Sequence, residues 1–450
     1  MKIVESNGEI SDSYSVSTIK SEQNRVYSKI ILRLMPLLLV AYILAFLDRI
    51  NVGYAKLSMQ QDLGFSDAVY GLGAGLFFLT YLLFETPSNM LFEKIGARLT
   101  FLRIMVLWGL TSAATAFVTE AWQFYVVRLL LGIFEAGFFP GVILYLTYWF
   151  PSSRRGRVTG LFMFAMPITG VLGGPISGML MTNMDGFANW NGWQWLFVIE
   201  GIPTVIMGFI LYSLLPNNPQ SAKWLSHEEK QMVLSNLATG SSNTQVSHTS
   251  ALKSVLKDPK VYLLAFVYFT CACSVYVFTF WLPTMIQSLG IKSISTIGWL
   301  SAIPYVFGTL GVLAITYSSD LTGERRIHVG GGLLIGVLLL YATVFLTHST
   351  WLTITCLSVA AFFIFGSGIL FWAIPPTYLS KQLQAVGIAV ISSIGILGGF
   401  LSPVIIGYIK TLTGSMNTGL LCLVGVVMLG ALTVLFLMPK KALVVSEKSE

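Results

Sequence analysis

Apolar stretches follow one another along this chain, each close to the ~20 residues a helix needs to cross a bilayer, with short polar segments between them. Twelve windows are read, at 34–54, 68–89, 99–118, 122–146, 157–182, 195–215, 262–288, 297–318, 327–346, 351–376, 385–410 and 417–438. An even number of spans returns both termini to one side. Only the connection at 216–261 is long; it turns polar and is Ser/Thr-rich at 241–244 and from Ser247 to Ser250. The expected organisation is a tail at 1–33, a six-helix bundle at 34–215, a linker at 216–261, a second bundle at 262–438 and a tail at 439–450. Within the linker, Ser226 with Glu229 three residues later is a capping-box pattern and predicts a short helix over 227–237. Ala251 to Pro259 suits a helix lying at the membrane surface.

Composition agrees with this pattern. Hydrophobic residues make up 55% and charged residues 10%, against about 25% charged in soluble proteins. With the termini placed inside, 22 of the 27 Lys and Arg fall in the termini, the even-numbered loops and their boundaries. The odd-numbered loops hold only Lys56, Lys292 and Lys410, and Arg49 and Arg128 lie within spans. This bias predicts cytoplasmic termini. It also accounts for the net charge of +7 as membrane topology, and a nucleic-acid partner is rejected. The polar N-terminal 29 residues lead directly into a full-length span without the features of a cleaved signal, so the first helix is expected to be retained.

Cys271, Cys273, Cys356 and Cys422 all fall within spans, which offers no disulfide framework. His227, His248, His328 and His348 are scattered without ligand spacing, and no nucleophile with a nearby base is evident. The chain is read as neither an enzyme nor a metal or cofactor protein.

The two halves repeat each other. Glu93, Gly96 and Arg98 follow the second span; Asp320, Gly323 and Arg325 follow the eighth at a constant offset of 227 positions, which also relates Gly160 to Gly387. Six plus six helices related by an axis along the membrane normal is a transporter architecture, with the solute site between the halves.

Intramembrane charge identifies that site. A charged side chain at the bilayer centre costs at least ~2.5 kcal/mol on insertion scales and marks pathways. Asp48 and Arg49 lie ~9 Å from the outer end of the first span, and Arg128 of the fourth span lies at a similar depth. Glu135, two helical turns beyond Arg128, is on the same face and deeper. The offset puts Asp48 opposite Val275, Arg128 opposite Thr355 and Glu135 opposite Phe362. Charge is therefore expected in the first half alone. Tyr276, Trp281, Trp372, Ser392 and Ser393 would give the second half a polar and aromatic lining. A fixed salt-bridge network orienting the first and fourth spans is the competing structural explanation. Glu85 and Glu200 are read as structural pairings.

The motif Asn89-x3-Glu93-Lys94-x-Gly96-Ala97-Arg98, echoed by Asp320-x2-Gly323-Glu324-Arg325-Arg326, resembles the loop motif of the major facilitator superfamily, although Asn89 stands where most members have Gly. PheLeuAspArgIleAsn at 46–51, ProSerAsn at 87–89, GluAlaGlyPhePheProGly at 135–141, TyrTrpPhePro at 148–151 and TrpGlnTrpLeuPheValIleGluGly at 193–201 are similar to the anion:cation symporter family. The resemblance implies an all-α polytopic membrane protein with the major facilitator fold, its 12 helices forming two pseudo-symmetric six-helix bundles. It further implies carriage of an organic anion with protons: Asp48 and Glu135 bind the protons, Arg49 and Arg128 pair with these acids or with the substrate carboxylate, and Tyr81 contacts the substrate. Asn89, Glu93, Arg98, Asp320, Arg325 and Arg326 are read as gating residues at the cytoplasmic helix ends.

The leading expectation is a proton-coupled importer of an aromatic, hydroxy or sugar acid, resembling carriers of hydroxyphenylacetate and tartrate. It would reside in a bacterial inner membrane, work as a monomer with protons, anion and lipid as its partners, and need no cofactor beyond the proton gradient. The sequence Gly173-Gly174-Pro175-x2-Gly178 prompts a second reading, a proton antiporter exporting drugs, although close helix packing explains that cluster as well. A non-transporting membrane sensor is the third.

Overall fold

The computed structural model describes residues 4–238, 248–346, 348–380 and 383–438. The Ser/Thr-rich segment at 241–244, Ser247 and the tail at 439–450 lie outside the described residues. The first half contains α1 (Val4–Leu63), α2 (Asp67–Ala114), α3 (Ala121–Glu135), α4 (Phe138–Thr147), α5 (Ser152–Met163), α6 (Ala165–Asn183) and α7 (Gly192–Leu214). The linker contributes α8 (His227–Ala238) and α9 (His248–Lys257). The second half contains α10 (Pro259–Gln287), α11 (Ile294–Thr322), α12 (Gly332–Ala342), α13 (Thr350–Phe371), α14 (Pro375–Tyr378), α15 (Gln384–Gly395), α16 (Leu397–Thr413) and α17 (Met416–Leu432).

Among the described residues, ten helical stretches are long and apolar enough to cross a membrane, and with one shorter helix they make twelve passes. The 51-residue stretch Asp67–Phe117 is two passes that reverse at Gly96, where φ is +81° and the Asn217 side chain lies 3.0 Å from where a Cβ would stand. A side chain there would be strained on both counts. The ninth pass is the shorter Ile327–Ala342.

Other passes are broken where the sequence predicts continuity. The fourth stops at Glu135 and restarts at Phe138 through Gly137, with φ +89°. The tenth breaks instead where the Pro375–Pro376 pair leads one to expect it: α13 ends at Phe371 and the pair opens α14. The first, by contrast, is longer than its apolar window. Val26, Tyr27, Ile30 and Leu34 are buried at helical spacing, so the helix continues into the sequence read as a polar tail.

The linker helix forms with its capping box. The Ser226 N–H donates to Glu229 Oε2 at 2.9 Å and the Glu229 N–H to Ser226 Oγ at 3.1 Å. Lys29 Nζ ties α1 to this helix through a 2.8 Å ion pair with Glu229, and this bond holds the Glu229 carboxyl below the usual carboxylate range.

The halves meet through small residues. A Cβ on Gly174 of α6 would strike the backbone of Gly298 of α11, and the reverse; Gly178 packs against Ile294 and Ser295, and Gly71 of α2 against Pro403 and Gly407 of α16. Backbones this close require glycine. The cluster at 173–178 that prompted the antiporter reading thus has a packing role.

Polar bonds between the halves gather at the end of the molecule opposite the termini. Asp67 receives Lys56 at 2.9 Å and Lys410 of α16 at 3.1 Å. Lys56 also donates to Thr284 of α10 at 3.2 Å and lies 4.5 Å from the centroid of a Trp281 ring. The Tyr70 hydroxyl donates to the Phe280 carbonyl, and the Ala68 N–H to Thr411. At the terminus-bearing end, no hydrogen bond or ion pair joins the halves among the described residues. The molecule is closed at the far end.

Candidate functional site

Consecutive helical residues point about 100° apart, and this separates the two charges at the end of the apolar run in α1. Arg49 faces the space between the halves. Its Nε donates to Glu135 Oε1 at 2.8 Å and Nη2 completes the ion pair with the same carboxylate; Glu135 is buried and Arg49 partly so. The guanidinium sits 5.2 to 5.4 Å from the ring centroids of Phe46, Phe77 and Tyr81. Tyr276 of α10 faces the same group from the second half, packed edge-on against Phe78 at 4.4 Å. Glu135 is the last residue of α3, so the break at Gly137 presents its carboxylate at a helix end in mid-pass.

Arg128, also buried, departs from its expected pairing. Its Nε donates to the Gly73 carbonyl at 3.2 Å and its guanidinium lies 5.4 Å from the Phe77 centroid. Among the described residues no carboxylate lies within salt-bridge distance of it. The site therefore contains one paired and one unpaired arginine, with Phe77 touching both.

Asp48 turns away from Arg49 towards the return pass of α2. Its Oδ1 accepts from Ser112 Oγ at 2.7 Å and Asn51 Nδ2 at 3.1 Å. The same Asn51 nitrogen donates to Glu200 Oε2 of α7 at 2.9 Å, and Ser177 of α6 donates to Glu200 Oε1 at 3.2 Å. Asp48, Asn51 and Glu200 are all buried. Sequence reading treated Asn51 only as part of a motif and Glu200 as an ordinary structural pairing. The signal for both was the i, i+3 spacing of Asp48 and Asn51, which puts them on one helix face.

The remaining candidates are spread out. Glu85 is half-buried on α2, one turn beyond Tyr81, and interacts with Arg49 at longer range. Trp372 packs edge-on against Tyr268 at 4.5 Å, and Ser392 and Ser393 are half-buried on α15. Among the described residues no hydrogen bond, ion pair or ring contact joins these three to the arginines. Trp281, read as part of the lining, instead packs at the closed far end. A cavity of about 270 Å³ lies between α6 and α11 and is almost wholly apolar, bordered by Phe46, Ile50, Met163, Thr309 and Phe365.

Each expected gating residue stays within its own half. The Arg98 N–H donates to Asn217 and its side chain to the Tyr212 carbonyl; Glu93 borders the same groove as Asn217. Asn89 Oδ1 is buried without a partner. Arg325 pairs with Asp320 at 3.6 Å, and Arg326 Nε has no hydrogen-bond partner. Among the described residues, no three His, Cys, Asp or Glu side chains are grouped to hold a metal ion.

Twelve passes in two bundles, enclosing buried charge contributed by one bundle, define a membrane transporter. The sequence model of the Major Facilitator Superfamily matches residues 38–403, and the chain belongs to that family. It is 43% identical over 417 residues, 92% of this chain and 95% of the other, to a proposed tartrate transporter of Agrobacterium vitis. It is 42% identical over 399 residues, 88% of this chain and 91% of the other, to a quinolone resistance transporter of Acinetobacter baumannii. The fold matches a crystal structure of a bacterial homologue of the human lysosomal transporter Spinster in an inward-facing, unoccupied conformation, with a TM-score of 0.76 at 15% identity over 92% of this chain and 98% of that one. Membership in a transporter family removes the enzyme and sensor readings.

Proposed function

We propose that this protein is a proton-coupled symporter that takes up a small organic carboxylate by alternating access, resident in a bacterial inner membrane with both termini cytoplasmic. The observation that carries this reading is the Arg49–Glu135 ion pair, its acid buried, facing Tyr276 across the gap between the halves. The planar guanidinium fork matches a carboxylate and bonds it with two parallel N–H donors. An incoming carboxylate can therefore take Arg49 from Glu135. The released glutamate, desolvated and without its cation, binds a proton. Arg128, free of any acid partner among the described residues, is a second anchor for the anion, while Tyr81 and Tyr276 donate phenol hydroxyls to it. Neutralising the site permits the halves to rock, and the charge cluster around Asp67 holds the far end shut in the conformation seen here.

The proposed tartrate transporter among the relatives supports an anionic cargo. The quinolone resistance relative favours the second reading, a proton-coupled drug or metabolite antiporter. Uptake by proteoliposomes of radiolabelled tartrate, 4-hydroxyphenylacetate and related acids, with and without an inward proton gradient, separates the two. Symport predicts accumulation driven by the gradient and alkalinisation of the medium. Quinolone efflux, with no gradient-driven uptake of any acid, would sink it.

A further inference from the structure

The Asp48–Asn51–Glu200 cluster has no place in the exchange of Arg49 between carboxylates. Two buried carboxyls share one amide nitrogen, at 3.1 and 2.9 Å. Among the described residues no Lys, Arg or His lies within 4.0 Å of either. The groups facing Asp48 are Ser112, Asn51 and Trp108, with Glu135 and Arg128 at longer range; those facing Glu200 are Asn51, Ser177, Asp48 and Tyr54. An ionised carboxylate withdrawn from water costs several kcal/mol unless a cation compensates it, and two so close together repel each other. The donors present, Ser112, Asn51 and Ser177, are all neutral.

Asn51 Oδ1 is buried without a hydrogen-bond partner, and Asp48 Oδ2 is faced only by the neutral indole N–H of Trp108. Buried acceptors without a full set of donors are costly, and the cluster holds two acids with no cation beside them. A proton is the occupant of fitting size and charge. Bound to one carboxyl, it reduces the pair from two negative charges to one and creates an O–H donor.

We infer that Asp48 and Glu200, bridged by Asn51, hold one proton between them, and that Glu200 is a proton-binding residue of the transporter. The inference rests on the proton-coupled reading above for its role in transport. It separates the proton store, on the α2–α6–α7 side of α1, from the anion site at Arg49. The pair titrates as a unit rather than as two independent acids.

Infrared difference spectra of the purified, substrate-free protein across a pH titration test this directly. The wild type is expected to show a protonated-carboxyl stretch that disappears in both Glu200→Gln and Asp48→Asn, since either change leaves a single acid with neutral donors. Persistence of the whole band in Glu200→Gln overturns the inference. Glu200→Asp withdraws the acid by one methylene and is the second variant should Glu200→Gln not fold: a displaced midpoint is expected, and a wild-type midpoint contradicts the inference. In proteoliposomes with tartrate as probe, Glu200→Gln is expected to lower the number of protons carried per anion. An unchanged ratio, with proton-driven uptake in the wild type, overturns the inference and leaves symport standing. Absence of proton-driven uptake in the wild type instead overturns symport, and the band still decides the proton pair.

Discussion

Arg49 and Glu135, 86 residues apart in sequence, share a 2.8 Å hydrogen bond at a break in the fourth pass. The break matters as much as the bond. Glu135 ends its helix, and Gly137, at φ +89°, starts the next, so the acid sits where the backbone can change direction. In the proposed cycle, proton binding and helix geometry meet at this one residue.

Arg49→Lys tests the guanidinium. Lysine keeps the charge but loses the fork, and a hydrogen bond to a charged group contributes about 1.5–3 kcal/mol. Tartrate affinity in substrate-protected thiol labelling or counterflow is expected to fall roughly 10- to 100-fold. Wild-type affinity in this variant would remove Arg49 from the anion site.

Asp67→Asn tests the far-end closure. The change leaves the buried Lys56 facing Lys410 with its counter-charge gone. The conformation open at that end is expected to gain population, seen as faster maleimide labelling of a cysteine placed at Thr411. Labelling at the wild-type rate would show that the ion cluster does not hold the gate.

Gly298→Val probes the same closure by sterics alone. The new side chain would run into the Gly174 backbone, and overpacking of this kind costs ~1–3 kcal/mol. The same thiol probe should label faster, this time without any change in charge. Unaltered labelling together with unaltered thermal stability would mean that α6 and α11 separate freely.

The Lys29–Glu229 pair ties the first helix to the linker helix. The folded state holds Glu229 below its ordinary value, so its contribution is present above the unfolded value near ~4.3 and is lost as pH falls through the folded one. With Lys29 partly exposed, the contribution is at most ~1 kcal/mol. Glu229→Gln is expected to lower the melting temperature slightly at pH 7 and to match the wild type in acid. A pH-independent difference would assign the effect to something other than charge.

Much of this was legible in the sequence because apolar length and charge placement are one-dimensional signals. Twelve windows, the Ser226–Glu229 cap and the convergence of Arg49 with Glu135 could all be read that way. Partner choice could not. Whether Arg49 or Asn51 takes Asp48 depends on the rotation of α1 against α2 and α7, and adjacent residues in sequence point to different neighbours. The serines at 392 and 393 were chosen by polarity alone, and polarity does not specify which way a side chain faces. Glu200, read as a structural pairing, is paired in the structure, but its partner Asn51 lies 149 positions earlier and spacing could not name it.

The most direct test of the central claim is tartrate transport by wild type and Glu135→Gln in proteoliposomes, measured as gradient-driven accumulation and as counterflow without a gradient. The account predicts that the variant loses accumulation and keeps counterflow, because Arg49 still binds the anion while the acid that the anion frees to take up the coupled proton is gone. Accumulation in Glu135→Gln equal to wild type would contradict it.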